Sequence, residues 1–267
     1  MMLDCDIVVY TAIFDNYDFL LPPRNPNDSL DYICFTDNPN MESDIWDFRI
    51  VSDEEDSPKL QSGKYKTLPH RFLPEYKYSI WVDGNIHIHG NLTDLANKYV
   101  PETDLAVPPH PDRDCLYDEA QACVNLNKSD PEATAKQMQR YRKAGFPENF
   151  GLSETRILIR NHSAENVVNT MECWWKEYRD GANRDQLSFE YAAWETGLNY
   201  ESLDIRYDNK SEYFHIYPHK PPGFISEKCM EYMIKATLNT PTKFKRVIWL
   251  SFLYPYFVIR KFERFIS

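Results

Sequence analysis

The chain has 267 residues, a mass of 31.6 kDa and 41 acidic against 30 basic residues, for a net charge of −11. That balance argues against a broad nucleic-acid surface, because phosphate backbones need an electropositive face; a phosphorylated small ligand would need a local cluster of Lys or Arg, or a metal ion, to offset the background field. Hydrophobic residues at 42%, aromatics at 15% and the lack of repeats or low-complexity tracts exclude a disordered chain and are enough for a sizeable core.

The N-terminal "MMLDCDIVVY" has no basic region followed by a long apolar run and a small-residue cleavage site, so no secretory signal is expected and a cytoplasmic location is. The first strand candidate is "DIVVYTAIF" (6–14), a continuous β-rich run of the kind buried on both faces. A polar, proline-rich loop leads to "DYICFTD" (31–37), a second buried strand ending in an aspartate, and then to "WDFRIV" (46–51), a third. The acidic run "SDEED" (52–56) reads as a solvated loop. "KYKTLPHRFLPEY" (64–76) predicts a short helical segment punctuated by Pro69 and closed by Pro74, and "YSIWVDGNIHI" (78–88) a strand that ends by presenting Asp83 and Asn85.

Helices dominate the next hundred residues. One starts near Tyr117, and "DPEATAKQMQRYRKAG" carries Asp130 as N-cap, Pro131 at the first helical position and Gly145 past the end. After a strand at "RILIR" (156–160), Ser163 is placed to cap a helix with Val167, Met171, Trp174 and Tyr178 as its core stripe and Gly181 as its stop. A further helix covers 184–197 and a late strand "LDIRY" 203–207. The six cysteines, at 5, 34, 115, 123, 173 and 229, show neither a CxxC pair nor zinc spacing and read as reduced and structural.

Apolar strands mixed with helices indicate an α/β layer around a mostly parallel sheet, where ligands bind beyond the carboxyl ends of the strands. Asp37 and Asp83 fall at such ends. Residues two apart in an extended chain point the same way, so Asp83 and Asn85 can address one Mn²⁺ or Mg²⁺ ion while Gly84 lets a ligand approach the backbone. Asp-Gly-Asn is equally good chemistry for a tight turn, and the residues alone leave both readings open.

The linked segments "VVYTAIFDNYD", "DYICFTDN", "KYKTLPHRFLPEYKYSIWVDGNI", "HPDRDCLYDEA" and "RDQLSFEYAAW" resemble the glycosyltransferase-like family named after plant TOD and MUCI proteins, and more distantly nucleotide-sugar transferases of GT-A fold. The resemblance implies a GT-A-like (Rossmann-like) domain over 1–240, a nucleotide-sugar donor, and Asp83 in the place of a metal-binding Asp-x-Asp motif. Asn85 departs from that motif and leaves strict metal dependence open. Within this frame Thr11, Ala12, Asp15 and Asp37 are expected at the nucleobase and ribose, with ordinary loop capping as the alternative. Lys64, Lys66, His70 and Arg71 are a basic group for the diphosphate, with a solvated helix face as the alternative. His110, Arg113 and Glu119 are candidates for hydroxyls of the donor or acceptor sugar, with Glu119 also a candidate catalytic residue or, equally, a simple helix-start carboxylate. Arg184 and Gln186, candidates for the sugar or acceptor, flank Asp185, the candidate catalytic carboxylate, which would act as base in an inverting reaction or stabilise oxocarbenium charge in a retaining one, or else cap its helix. By analogy with glycogenin-like transferases, His219 is the metal-binding histidine, with His215 as the alternative, and Lys220 reaches the diphosphate.

The C-terminal 241–267 carries a 13-residue apolar stretch (247–259) between basic flanks. It is too short to span a bilayer, which takes about 20 apolar residues, and would either lie on an anionic membrane surface or pack on the domain. The expectation is therefore a glycosyltransferase acting on a glycan or glycolipid acceptor. The alternatives are a non-catalytic glycan- or nucleotide-binding protein and a metal-dependent hydrolase.

Overall fold

The structure, a computed structural model, describes residues 6–52, 56–99, 102–205, 211–217 and 219–220, with 228, 230–232 and 234. Residues 53–55 of the acidic run, 206–207 of the late strand candidate, Cys5, Cys229 and the appendage 241–267 lie outside the described residues.

The elements in order are β1 (Ile7–Ile13), β2 (Asp31–Thr36), β3 (Asp47–Ile50), α1 (Pro58–Thr67), α2 (Pro69–Phe72), β4 (Tyr78–Val82), β5 (Ile86–Ile88), α3 (Leu92–Tyr99), β6 (Leu105–Val107), α4 (Leu116–Asn125), α5 (Pro131–Ala144), β7 (Ile157–Asn161), α6 (Glu165–Asp180), α7 (Gln186–Thr196), β8 (Glu201–Ser202) and β9 (Phe214–Ile216). Seven strands form one sheet in the order β3-β2-β1-β4-β7-β6-β8, and β5 pairs with β9 in a separate ribbon. Within the seven-stranded sheet pairing is parallel except where β7 runs antiparallel to both β4 and β6, and the β5–β9 ribbon is antiparallel. This is the mostly parallel α/β sheet expected from the apolar strands.

β1 explains why the sheet is buried on both sides. Its residues alternate between two clusters: Ile7, Val9 and Ile13 pack with Leu92 and Leu95 of α3, while Val8, Tyr10 and Ala12 pack with Tyr65, Trp174 and Phe189 of α1, α6 and α7. The α6 stripe is core as expected, with Val167, Met171 and Trp174 fully buried, and each such side chain contributes roughly 1.5–3 kcal/mol. Asp130 caps α5 through Ala133 N at 2.7 Å, and Gly145 ends it in the left-handed region at φ 90°.

Several boundaries differ. α1 begins at Pro58, six residues before the expected helical segment, because Ser57 caps it by accepting from Leu60 N. The cap of α6 is Ala164, since Ser163 donates to Asn161 Oδ1 instead. The late strand is the short β8, ahead of the expected 203–207. The stretch 78–88 breaks into β4 and β5 at a turn closed by Ile86 N donating to Asp83 O at 3.0 Å. No helix among the described residues is long and apolar enough to cross a membrane.

Candidate functional site

The carboxyl ends of β1, β2 and β4 lie side by side in the parallel part of the sheet. Beyond β4, Asp83 meets a lysine and a second aspartate from distant parts of the chain. Lys66 Nζ lies 2.5 Å from Asp185 Oδ2 and 3.2 Å from Asp83 Oδ1, in a position where the lysine is 5% exposed. Trp81 Nε1 donates to the same Asp83 oxygen at 2.8 Å, and Thr155 Oγ1 donates to Asp185 Oδ2 at 2.8 Å. Asp83 Oδ2 takes no hydrogen bond from the described residues.

These contacts set aside the helix-capping reading of Asp185. Although it sits at the N-cap position of α7, its carboxylate makes no capping bond and is spent on Lys66 and Thr155. Its backbone carbonyl is fixed by Trp174 Nε1 at 3.0 Å, so α6 orients the start of α7. Burial works against the Asp185 charge, but Lys66 and Arg184 outweigh it and hold the carboxyl well below the usual range. Burial likewise opposes the Lys66 charge and is outweighed by Asp185 and Asp83, which raise its pKa. Asp-Gly-Asn forms the turn that the sequence allowed, and that turn places the Asp83 carboxylate beside Lys66.

Gly84 sits in a tight place: a Cβ there would come within 3.1 Å of Asp18 Oδ2 and 3.0 Å of Ile13 Cγ1, so both side chains would have to give by a few tenths of an ångström. Asp18, absent from the sequence reading, is 2.8 Å from His219 Nδ1, which brings His219 to the loop after β1. The only sequence signal for it lay in the "DNYD" of that loop. Asp15 and Asn16 adopt left-handed backbone at φ 53° and 50°, and Asp37 at the end of β2 receives Asp15 N on both carboxylate oxygens, at 3.1 and 3.0 Å. Asp37 therefore shapes the loop. Glu154, also unforeseen, is buried beside Asp83, whose N donates to Arg156 O at 3.0 Å. Burial raises the Glu154 pKa against the opposing charge of Arg156, 2.6 Å away, and the nearby Asp83 raises it further.

Other candidates lie elsewhere or are otherwise engaged. Thr11 and Ala12 belong to β1 and are buried in the sheet, not in the loop after it. Of the basic group only Lys66 reaches the site: Lys64 faces Asp56 at 3.6 Å, and His70 and Arg71 both bind Glu172 of α6. α2 is also at the far end of the sheet, since Leu73 O bonds His162, just after the Asn161 that pairs with Tyr78 at the start of β4. Asn85 is buried, its Nδ2 donating to Tyr217 O at 2.8 Å, and so acts as a clasp for the chain after β9 instead of opening beside Asp83. Its Oδ1 is buried with no hydrogen-bond partner among the described residues.

Glu119 is the hub of a separate cluster. It accepts from Arg113 Nε at 2.5 Å and from Cys123 Sγ at 3.2 Å, with His110 Nε2 at 3.6 Å. With both oxygens engaged and 3% exposure, it holds the 110–119 turn together. Arg184 donates to Gln186 Oε1 at 3.3 Å, and Lys220 lies over the Phe19 ring at 5.2 Å. His215 is in β9, its ring 4.1 Å from that of His89. Cys34, Cys115, Cys123 and Cys173 are free thiols. Among the described residues no three His, Cys, Asp or Glu side chains converge as a metal cage.

Residues 1–213 match the family described as TOD1/MUCI70, glycosyltransferase-like domain. The chain belongs to that family. Two Arabidopsis thaliana relatives of this TOD1/MUCI70 domain are the protein named alkaline ceramidase TOD1, 26% identical over 226 residues, and the one named probable hexosyltransferase MUCI70, 24% identical over 212. These matches cover 71% and 68% of this chain but only 48% and 36% of the relatives, so the chain spans about half or less of their length. Among solved structures, the apo WbbM bifunctional glycosyltransferase aligns with a TM-score of 0.46 and 11% identity over 75% of this chain and 39% of that one.

Proposed function

We propose that the chain is a glycosyltransferase that moves a sugar from a nucleotide-diphosphate sugar to a glycan or glycolipid acceptor. The observation that carries this reading is the buried ammonium of Lys66 between Asp83 and Asp185, beyond the carboxyl ends of parallel strands, in a glycosyltransferase-like family.

The electrostatics divide the roles. An efficient general base has a pKa near the working pH, which Asp185, held ionised by Lys66 and Arg184, does not. Such a carboxylate suits a different task, stabilising positive charge as the sugar leaves the diphosphate. Glu154, whose pKa is raised by burial, is the better candidate to take the acceptor proton. Lys66 and Arg184 offset phosphate charge in an otherwise acidic neighbourhood.

A hard divalent cation, Mn²⁺ or Mg²⁺, would take Asp83 Oδ2 as its protein ligand and the donor diphosphate for the rest, because no three His, Cys, Asp or Glu side chains converge among the described residues and Asp18 is engaged with His219. When bound, it would supply charge neutralisation for the diphosphate. Asn85, committed to Tyr217, stays outside that set.

The name of the TOD1 relative raises ceramide amide hydrolysis as a second reading. It calls for an activated water, and transfer is preferred because Lys66, Asp83 and Asp185 form a charge-stabilising rather than a water-activating group. Thermal unfolding of the wild type and Asp83→Ala with nucleoside diphosphates, each with and without Mn²⁺, tests the donor site. A ligand at 100 times its Kd adds about 2.7 kcal/mol, a shift of several degrees for a chain of this size. A shift with one nucleotide that is lost in Asp83→Ala supports transfer, and no shift with any nucleotide removes the reading.

A further inference from the structure

Arg160 of β7 is fully buried, yet no carboxylate lies within ion-pair distance of it among the described residues. Burying a guanidinium is costly unless its charge and its donors are met, and an apolar chain of similar volume fills the same space without that cost. What Arg160 meets is a backbone carbonyl, with the Met171 sulfur 3.3 Å from the same Nη1, while its buried Nε has no hydrogen-bond partner among the described residues. Its Nη1 donates to Lys66 O at 2.8 Å, and its second terminal nitrogen donates to the Tyr10 hydroxyl, which itself donates to Lys66 O at 3.1 Å. Tyr10 is also fully buried.

The sequence explains why this carbonyl is available. The last carbonyls of a helix have no intrahelical partner, and α1 ends at Thr67, which leaves Lys66 O among them. The end of a helix carries partial negative charge, so a cation there is favoured without a carboxylate. Arg160 is therefore matched to the end of α1 at the residue whose side chain carries the site ammonium. From this backbone the Lys66 chain must reach Asp83 at 3.2 Å and Asp185 at 2.5 Å. Lysine has a flexible four-carbon stem, so fixing its base is what limits where its tip can go.

We propose that Arg160, with Tyr10 as its bridge, is a positioning residue that locks the Lys66 backbone and thereby keeps the ammonium between Asp83 and Asp185. The proposal rests on the reading of Lys66 as a site residue, but its test does not require turnover.

The experiment is reductive methylation of the full chain with formaldehyde and a borohydride, followed by peptide mass spectrometry well below the unfolding midpoint. Lys136, with a side chain 73% exposed, is the internal standard. In the wild type Lys66 should be strongly protected. In Arg160→Met its labelling rate should rise at least about tenfold relative to Lys136, the scale set by losing a charged hydrogen bond, with Tyr10→Phe intermediate and Arg160→Lys restoring part of the protection. A merely space-filling role for Arg160 lowers the unfolding temperature but leaves Lys66 protected in the folded protein, and that result overturns the proposal. Should Arg160→Met not fold, Tyr10→Phe decides alone, and unchanged Lys66 protection there also overturns it. Nucleotide-sugar turnover measured on the same samples separates the two claims: an inactive wild type counts against the transfer reading, while the labelling still tests Arg160.

Discussion

Replacing Lys66 with methionine removes the ammonium from between two carboxylates while keeping a side chain of similar length. Stripping one partner from a fully buried ion pair costs about 3–5 kcal/mol. The side chains of Asp83 and Asp185 are 30% and 24% exposed, so water takes up part of the loss, and about 2–3 kcal/mol is expected near pH 7. The pH dependence follows from two shifts. Burial opposes the Asp185 charge but Lys66 and Arg184 outweigh it, so its folded pKa lies below the unfolded value of about 3.9; its contribution is present above that value and lost as pH falls through the folded pKa. The folded pKa of Lys66 is raised by Asp185 and Asp83 against burial, so its contribution is fully present below about 10.4 and lost as pH rises through the folded pKa. The deficit of Lys66→Met should therefore be level from about pH 5 to 9 and close as the pH drops below about 4, where the orphaned carboxylates protonate. Urea unfolding followed by tryptophan fluorescence across this range is the assay. No deficit at pH 7, or one just as large at pH 3.5, would refute the reasoning.

In Gly63→Ala the new methyl would lie 2.2 Å from Tyr178 Cε1, and the Tyr178 hydroxyl is held by Lys59 O at 2.9 Å, so the ring cannot easily swing away. The gain in helix propensity, roughly 1 kcal/mol, should be outweighed by overpacking, for a net loss of about 1–2 kcal/mol read from urea midpoints. Asp185→Asn should reduce kcat for nucleotide-sugar turnover by about 10²–10³ across the pH range. Glu154→Gln should instead abolish the acid limb of the pH–rate profile, and identical profiles for the two variants would undo the division of roles. Burial pushes the His87 imidazole down to about 3, so the unfolded chain takes up a proton that the folded one refuses below about pH 6.5. Stability should fall by about 1.4 kcal/mol per pH unit for this group between pH 6 and 4, and His87→Gln should remove that much of the slope in urea titrations.

The fold was legible where one local rule dominates: continuous apolar runs became buried strands, and Asp130, Pro131 and Gly145 bounded α5 as their chemistry requires. Short elements with no cap signal, such as β6 and β9, were not, because three residues carry no readable period. In the site, Asp83 and Asp185 were recognisable from strand-end and helix-start positions. Which of four nearby cations would reach them was not, since Lys66 is selected by the packing of α1 against β1 and α6, not by local pattern. Asp18 and Glu154 escaped for the same reason: the first is defined by its contact with Gly84, the second by burial beside a strand 71 residues earlier in the chain, counting from Asp83 to Glu154. His70 and Arg71 show the converse error, a cluster in sequence that the end of α1 turns toward Glu172.

The most direct measurement is nucleoside-diphosphate release from a panel of nucleotide sugars, with Mn²⁺ and oligosaccharide acceptors present, for the wild type and Asp185→Asn. Sugar transfer with charge stabilisation by Asp185 requires turnover of one donor class by the wild type, with a loss of about 10²–10³ in the variant while donor binding is retained. Equal turnover by both proteins, or no consumption of any donor alongside cleavage of a ceramide amide, would contradict it.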